Sequence, residues 1–166
     1  MFRKVEDFVR DWQYEMDSTL KVFRGLTDES LGQRVTDEGR SIGRLAWHLA
    51  QSLPEMMNRT GLAVMGPAEN EPVPASAVAI AAAYEASAGS LLDQIRTRWQ
   101  DDTMLEMRDM YGEQWPNGVT LSALVKHQTH HRGQMTVLMR QAGLKVPGVY
   151  GPAREEWAQW GMPAPE

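Results

Sequence analysis

The sequence predicts an all-α protein, a four-helix bundle with a long connection between helices two and three (up-down-down-up). Two observations carry this. Four segments repeat apolar residues at helical spacing, and no segment shows a convincing strand pattern. A third observation is size: 166 residues suggest one domain, 1–166, long enough to bury a sizeable core from its 42% apolar residues.

The first helix is expected from about Val5 to Gly25, where Val5, Phe8, Val9, Trp12, Met16, Leu20 and Phe23 step mostly by three and four. The second starts at Ser41, a good N-cap, and runs to about Thr60, with Pro54 expected to kink or interrupt it. The third, Ser76 to about Trp99, opens on an alanine-rich stretch of high helix propensity. The fourth runs from Thr120 or Leu121 to Ala142, with Gly143 as its cap. Residues 61–75, with three prolines, are long for a hairpin between antiparallel helices and suit a crossover. Trp115-Pro116-Asn117-Gly118 reads as a turn. From about residue 143 an irregular tail follows, with a short helix after Pro152 and with Trp157 and Trp160 as its anchors.

Composition excludes several functions. There are no cysteines, which removes disulfides, thiolate metal sites and cysteine nucleophiles. The net charge of −5 and the lack of a basic run argue against nucleic-acid binding. No apolar run approaches the ~18 residues of a membrane span. Acidic residues at Glu6 and Asp7 stand where a signal peptide would be apolar, so the expected location is the cytoplasm.

Chemistry concentrates in the histidines. On a helix stepping ~100° per residue, Leu124, Met135, Leu138 and Ala142 fall within ~40° of His131. His131 therefore faces the core, His127 sits beside it one turn earlier, and His130 lies at the flank. Imidazoles four residues apart can converge on one metal ion. A third ligand must come from another helix. His48 lies at the edge of a buried face, on a polar stripe of Arg44, Ser52, Glu55 and Arg59 that would suit a pocket wall. Spacing alone leaves both a metal site and ordinary packed histidines open. Glu55 is a candidate general base or an orienting group, against a simple pairing with Arg59. Gln134 is a candidate donor to a ligand or a metal-bound group, and Tyr150 a structural tyrosine that could also cap the pocket. Arg132 and His130 are expected to serve packing or a subunit interface.

The run Lys126-His127-Gln128-Thr129-His130-His131-Arg132-Gly133-Gln134 and the run Ile42-Gly43-Arg44-Leu45-Ala46-Trp47-His48-Leu49 together resemble the DinB/YfiT-like family of metalloenzymes. The tail segment Pro147-Gly148-Val149-Tyr150-Gly151-Pro152 is similar too. The resemblance implies a four-helix bundle, a homodimer, and a divalent ion, zinc or nickel, held by His48, His127 and His131. It also implies metal-dependent chemistry on a small-molecule substrate. Thiol S-transfer with a low-molecular-weight thiol is the leading expectation; a metal-dependent hydrolase and a non-catalytic, stress-related metal-binding dimer are the alternatives.

Overall fold

The computed structural model describes residues 1–165, so the expected domain boundary at Glu166 lies outside the described residues. Four long helices dominate: α1 (Val5–Arg24), α2 (Ile42–Met57), α3 (Ala77–Arg98) and α4 (Asn117–Gln141). Helix α1 packs on α3 and α4, and α2 packs on the same two. Their apolar faces meet in one hydrophobic core, in which Phe8, Trp12, Leu49, Leu53, Ile80, Leu91, Leu124 and Met135 are fully buried. Trp12 also donates its indole N–H to the Ala88 carbonyl (3.2 Å), which ties α1 to α3 and satisfies a buried donor. No helix among the described residues is long and apolar enough to cross a membrane.

Helix starts follow side-chain capping. Ser41 accepts from the Arg44 amide (3.2 Å) and Ser76 from the Ala79 amide (3.4 Å), each relieving an otherwise unpaired N–H at a helix start. Helix α2 runs through Pro54 to Met57 and continues as a turn of 3-10 helix over Asn58–Thr60. The expected interruption does not occur. Proline's fixed φ is itself helical, and its cost is confined to one missing hydrogen bond and local crowding. The segment 61–76 closes over this point. A Cβ on Gly66 would run into Ser87 and Pro54, so only glycine lets the loop lie so near both.

The expectation of an all-α chain needs correction. Strands β1 (Met107–Met110) and β2 (Glu113–Pro116) form an antiparallel hairpin, paired Met107 with Pro116 through Met110 with Glu113. Its two turn residues, Tyr111 (φ 61°) and Gly112 (φ 88°), are both left-handed, as a tight hairpin turn demands. Trp115-Pro116-Asn117-Gly118 is therefore the end of β2 running straight into α4, which starts three or four residues earlier than expected. The junction is held from both sides. Asn117 donates its backbone N–H to the Glu106 carbonyl and its side-chain amide to the Thr103 carbonyl (3.0 and 2.9 Å). Gly118 accepts from the Phe2 amide (3.1 Å), and a Cβ there would collide with the Phe2 carbonyl oxygen. Gly118→Ala should consequently cost about 1–3 kcal/mol, as overpacking does elsewhere. Chemical denaturation would show it as a lower midpoint; an unchanged midpoint would mean that the N-terminus simply moves aside.

The tail returns along α1 and α4. Tyr14 donates to the Val149 carbonyl, and Tyr14 and Tyr150 lie ring to ring at 5.9 Å. A 3-10 segment over Arg154–Trp160 follows. Trp160 is 68% exposed and does not anchor it, contrary to expectation. The tail is held instead by Tyr150 and by Glu156, whose carboxylate accepts from the Gly148 and Ala153 amides.

Candidate metal centre

Helix period sends neighbouring α4 residues to different partners. Gln128 is fully buried and donates to the Leu49 carbonyl and the Ser52 hydroxyl (3.2 and 3.3 Å), which pins α4 to α2 one residue beyond His127. Arg132, one residue beyond His131, turns ~100° away and buries its guanidinium against Glu15 of α1. With the helix held on both sides, His127 and His131 face His48 of α2.

His48 Nε2 and His127 Nε2 are 3.1 Å apart, and one ligand atom from each of the three histidines lies within 4.8 Å of the others. The three ring centroids are 4.6–4.9 Å apart at steep interplanar angles, so the rings converge edge to face instead of stacking. Donors about 2.0–2.1 Å from a common tetrahedral ion would sit a little over 3 Å apart; the His48–His127 pair stands at that spacing and the third histidine lies within 4.8 Å, so the group could hold one. His131 Nδ1 is 2.7 Å from Gln134 Oε1. An N–H at Nδ1 donating to that oxygen leaves Nε2 with the free lone pair that a metal needs. Through its oxygen Gln134 thus engages a histidine, and the same side chain lines the apolar pocket. His130 is exposed and touches the cluster only edge-on at His131, with centroids 5.0 Å apart.

Electrostatics keep the imidazoles neutral. Burial is the main cause for all three. The closeness of His127 and His131, with Arg40 and Arg44 nearby, adds to it at His48, which is lowered to about 4. His127 is also lowered to about 4, by burial, then by His131, His130 and Arg40, against a small opposing pull from Glu55. His131 is lowered as well, with the Gln134 hydrogen bond opposing burial. Without metal, the unfolded chain protonates these residues near pH 6.5 while the folded chain resists down to about pH 4 at His48 and His127. Stability contributed by their neutral burial is present above that window and lost as pH falls through it. Thermal unfolding of chelator-treated protein should move to lower temperature between about pH 6.5 and pH 4, and His127→Gln should flatten the slope. A slope equal to that of the wild-type chain would contradict it.

Two pockets meet at the cluster. A polar one, about 350 Å³, is lined by His48, His127, Arg40, Arg44, Gln51, Ser52, Glu55 and Tyr111 among others. An apolar one, about 430 Å³, is lined by His131, Gln134, Arg40, Leu45, Val35, Gly39, Val137 and Leu138. Glu55 stands in the polar wall, but its oxygens are engaged. Oε1 accepts from Arg59 Nε (3.1 Å) and Oε2 from the Tyr111 hydroxyl (2.7 Å). Burial and that hydrogen bond push the Tyr111 phenol up to about 12, so it stays a donor. Sequence reasoning missed Tyr111 and Arg40. Tyr111 reaches the site only because the hairpin turns there, in a left-handed conformation that is uncommon for a non-glycine residue. Tyr150 does not reach the pocket. Its hydroxyl lies 2.5 Å from both Glu15 Oε1 and Arg132 Nη2.

Fold and site together define a mostly helical protein with a three-histidine group that could hold a metal ion. The chain belongs to the DinB family, whose model matches residues 1–162. It is 46% identical to the YrdA protein of Bacillus subtilis strain 168, over 100% of this chain and 99% of that protein. It is similar to a crystal structure of a DinB-like protein from Bacillus cereus ATCC 10987, with a TM-score of 0.88 and 43% identity over 90% of this chain and 100% of that one. A DinB-like protein of Bacillus subtilis, YjoA, shares the fold at a TM-score of 0.69 and 16% identity, over 89% of this chain and 99% of that one.

Proposed function

We propose that this protein is a metal-dependent enzyme whose centre is an ion held by His48, His127 and His131. The carrying observation is the convergence of three neutral imidazoles from two helices between two open pockets. A divalent ion there, zinc or nickel, would supply Lewis-acid chemistry and lower the pKa of a bound thiol or water. With three protein ligands, coordination positions stay free for such a group.

The reaction that fits best is S-transfer from a low-molecular-weight thiol to an electrophilic small molecule. The chain has no cysteine, so the thiol must be a cosubstrate. The thiol gives its proton to a base, its sulfur pair forms the carbon–sulfur bond, and the leaving group departs with its bonding pair and takes a proton from water. Glu55, one of two carboxylates in the polar wall with Glu69, lies on one helical face with His48 on α2 and serves as that base, passing the proton on to solvent. Tyr111 and Arg59 hold it in place. Gln134 is a positioning residue acting through His131.

A hydrolase would use the same centre with water as the nucleophile, and a metal-binding protein without catalysis would keep the ion and show no turnover. We also take the chain to be one domain with helices running up-down-down-up, supported by the long segment 61–76 and the shared core. We take it further to be a cytoplasmic homodimer without nucleic-acid or membrane partners, in keeping with its acidic charge. The test is metal analysis of purified protein, then a panel of thiols with electrophiles, and of esters and amides with water, each with and without chelator. Conjugation that chelator abolishes supports S-transfer. Chelator-sensitive hydrolysis alone replaces it with the hydrolase. Tight metal binding without turnover on any panel favours the non-catalytic reading.

A further inference from the structure

The two pockets differ in chemistry, and the difference bears on substrate. Among the described residues lining the apolar pocket, Arg40 is the one that carries a charge. No carboxylate pairs with it among the described residues. Arg40 also lines the polar pocket, so its guanidinium stands where the two join, beside the histidines. Apart from His131, Gln134 and Gly39, the remaining wall is aliphatic, and its two valines are left open: Val35 is 65% exposed and Val137 55%. Exposed aliphatic walls around one unpaired guanidinium are complementary to a molecule with an apolar body and an anionic end. Arginine binds carboxylates through two parallel N–H donors, and neighbouring apolar surface strengthens such a bond by excluding water. A cationic ligand is disfavoured, because Arg40 would repel it and the wall offers no acid in return. In the polar pocket Arg44 adds a second cation, its guanidinium donating to Gln51 Oε1 (3.1 Å). Of the two carboxylates there, Glu55 is already engaged by Arg59 and Tyr111, and Glu69 forms no ion pair with Arg40 or Arg44 among the described residues.

We propose that the pocket beside His131 binds the apolar body of an organic acid, with Arg40 holding its carboxylate, so that the bond to be changed lies at the three histidines. This deepens the proposed enzymatic reading and rests on it for the word substrate; the binding itself does not require metal.

The experiment is titration calorimetry with phenylbutyrate and its neutral isostere phenylbutyramide, on chelator-treated and on zinc-loaded protein. Metal content is measured separately. The acid should bind about tenfold more tightly than the amide, since a charge-assisted hydrogen bond contributes roughly 1.5 kcal/mol or more. Arg40→Gln, at an exposed position, should bring the two to within about twofold of each other. Val137→Trp, which fills the apolar wall, should weaken both about fivefold or more. The acid preference should appear in metal-free protein. Equal affinity for acid and amide, no binding of either, or a preference that survives Arg40→Gln would each overturn the proposal. So would a preference that exists only with zinc, because the ion itself would then be taking the carboxylate. Failure to take up metal sinks the enzymatic reading and leaves the acid preference standing or falling by itself.

Discussion

His127→Ala should abolish metal uptake, and His130→Ala should leave it intact. The two residues are three apart on one helix, yet they differ completely in surroundings. His127 brings Nε2 to within 3.1 Å of His48 Nε2, whereas His130 is exposed and lies outside the three-histidine group. Three-ligand sites have no redundancy. Apparent zinc affinities of about 10–16 kcal/mol spread over four ligands imply a few kcal/mol per ligand, so losing one of three should cost more than about a hundredfold. His48→Ala and His131→Ala should match His127→Ala. Gln134→Leu should fall between, at about 10–100-fold, because it removes only the group that orients His131. Competition against a chromophoric chelator measures all five. A loss at His130 as large as at His127 would mean that the ion sits elsewhere on the helix. An effect of Gln134→Leu as large as that of a histidine would make it a ligand through its own oxygen. Folding is checked by circular dichroism, since none of these side chains belongs to the hydrophobic core.

Period and capping made much of this arrangement readable from the chain. Leu124, Met135 and Leu138 mark the inner face of α4, and that face carries His131 with His127 at its side. Ser41 and Ser76 mark helix starts because a short hydroxyl side chain relieves an unpaired amide. Other parts were not readable, each for a physical reason. The hairpin strands are four residues each, too short for alternation to register, and their turn uses tyrosine where asparagine would have signalled left-handed backbone. Tyr111 therefore could not be placed opposite Glu55. Arg40 lies in a loop before α2, outside any periodic face, and only the packed chain shows that it fronts two pockets. The role of Gln134 stayed open because a residue one turn from a histidine can face either the ligand or the imidazole, and spacing does not distinguish them. The partner of Arg132 is 117 residues away, and no local pattern carries such a distance.

That distant pair carries the largest expected effect on stability. Arg132 and Glu15 are nearly sealed from solvent, with side-chain exposures of 3% and 7%. Nη2 lies 2.6 Å from Glu15 Oε2, and Nη1 donates to the Glu15 carbonyl (3.1 Å) and the Thr19 hydroxyl (3.0 Å). The Tyr150 hydroxyl donates to Glu15 Oε1. Nearly every polar atom of the network is thus matched, and its removal from one side is the costly event. Arg132→Met would leave a buried carboxylate with a phenol for company. The expected loss is about 3–5 kcal/mol, the usual result of stranding one buried charge. At the size of this chain that corresponds to a fall of roughly 10 °C in Tm. Glu15→Gln/Arg132→Met, which strands no charge, should recover a large part of it, because the ions gain little over a neutral pair once their desolvation is counted. Tyr150→Phe should cost about 1.5–3 kcal/mol, and should also speed proteolysis after residue 143, since the tail loses its hold on α1 and α4. A double variant no more stable than Arg132→Met would show that packing of the arginine stem, and not charge, sets the cost. Arg132 follows His131 directly, so metal affinity in the same variants reports a second consequence: if the ion pair sets the rotation of α4, Arg132→Met should weaken metal binding while leaving all three histidines in the chain.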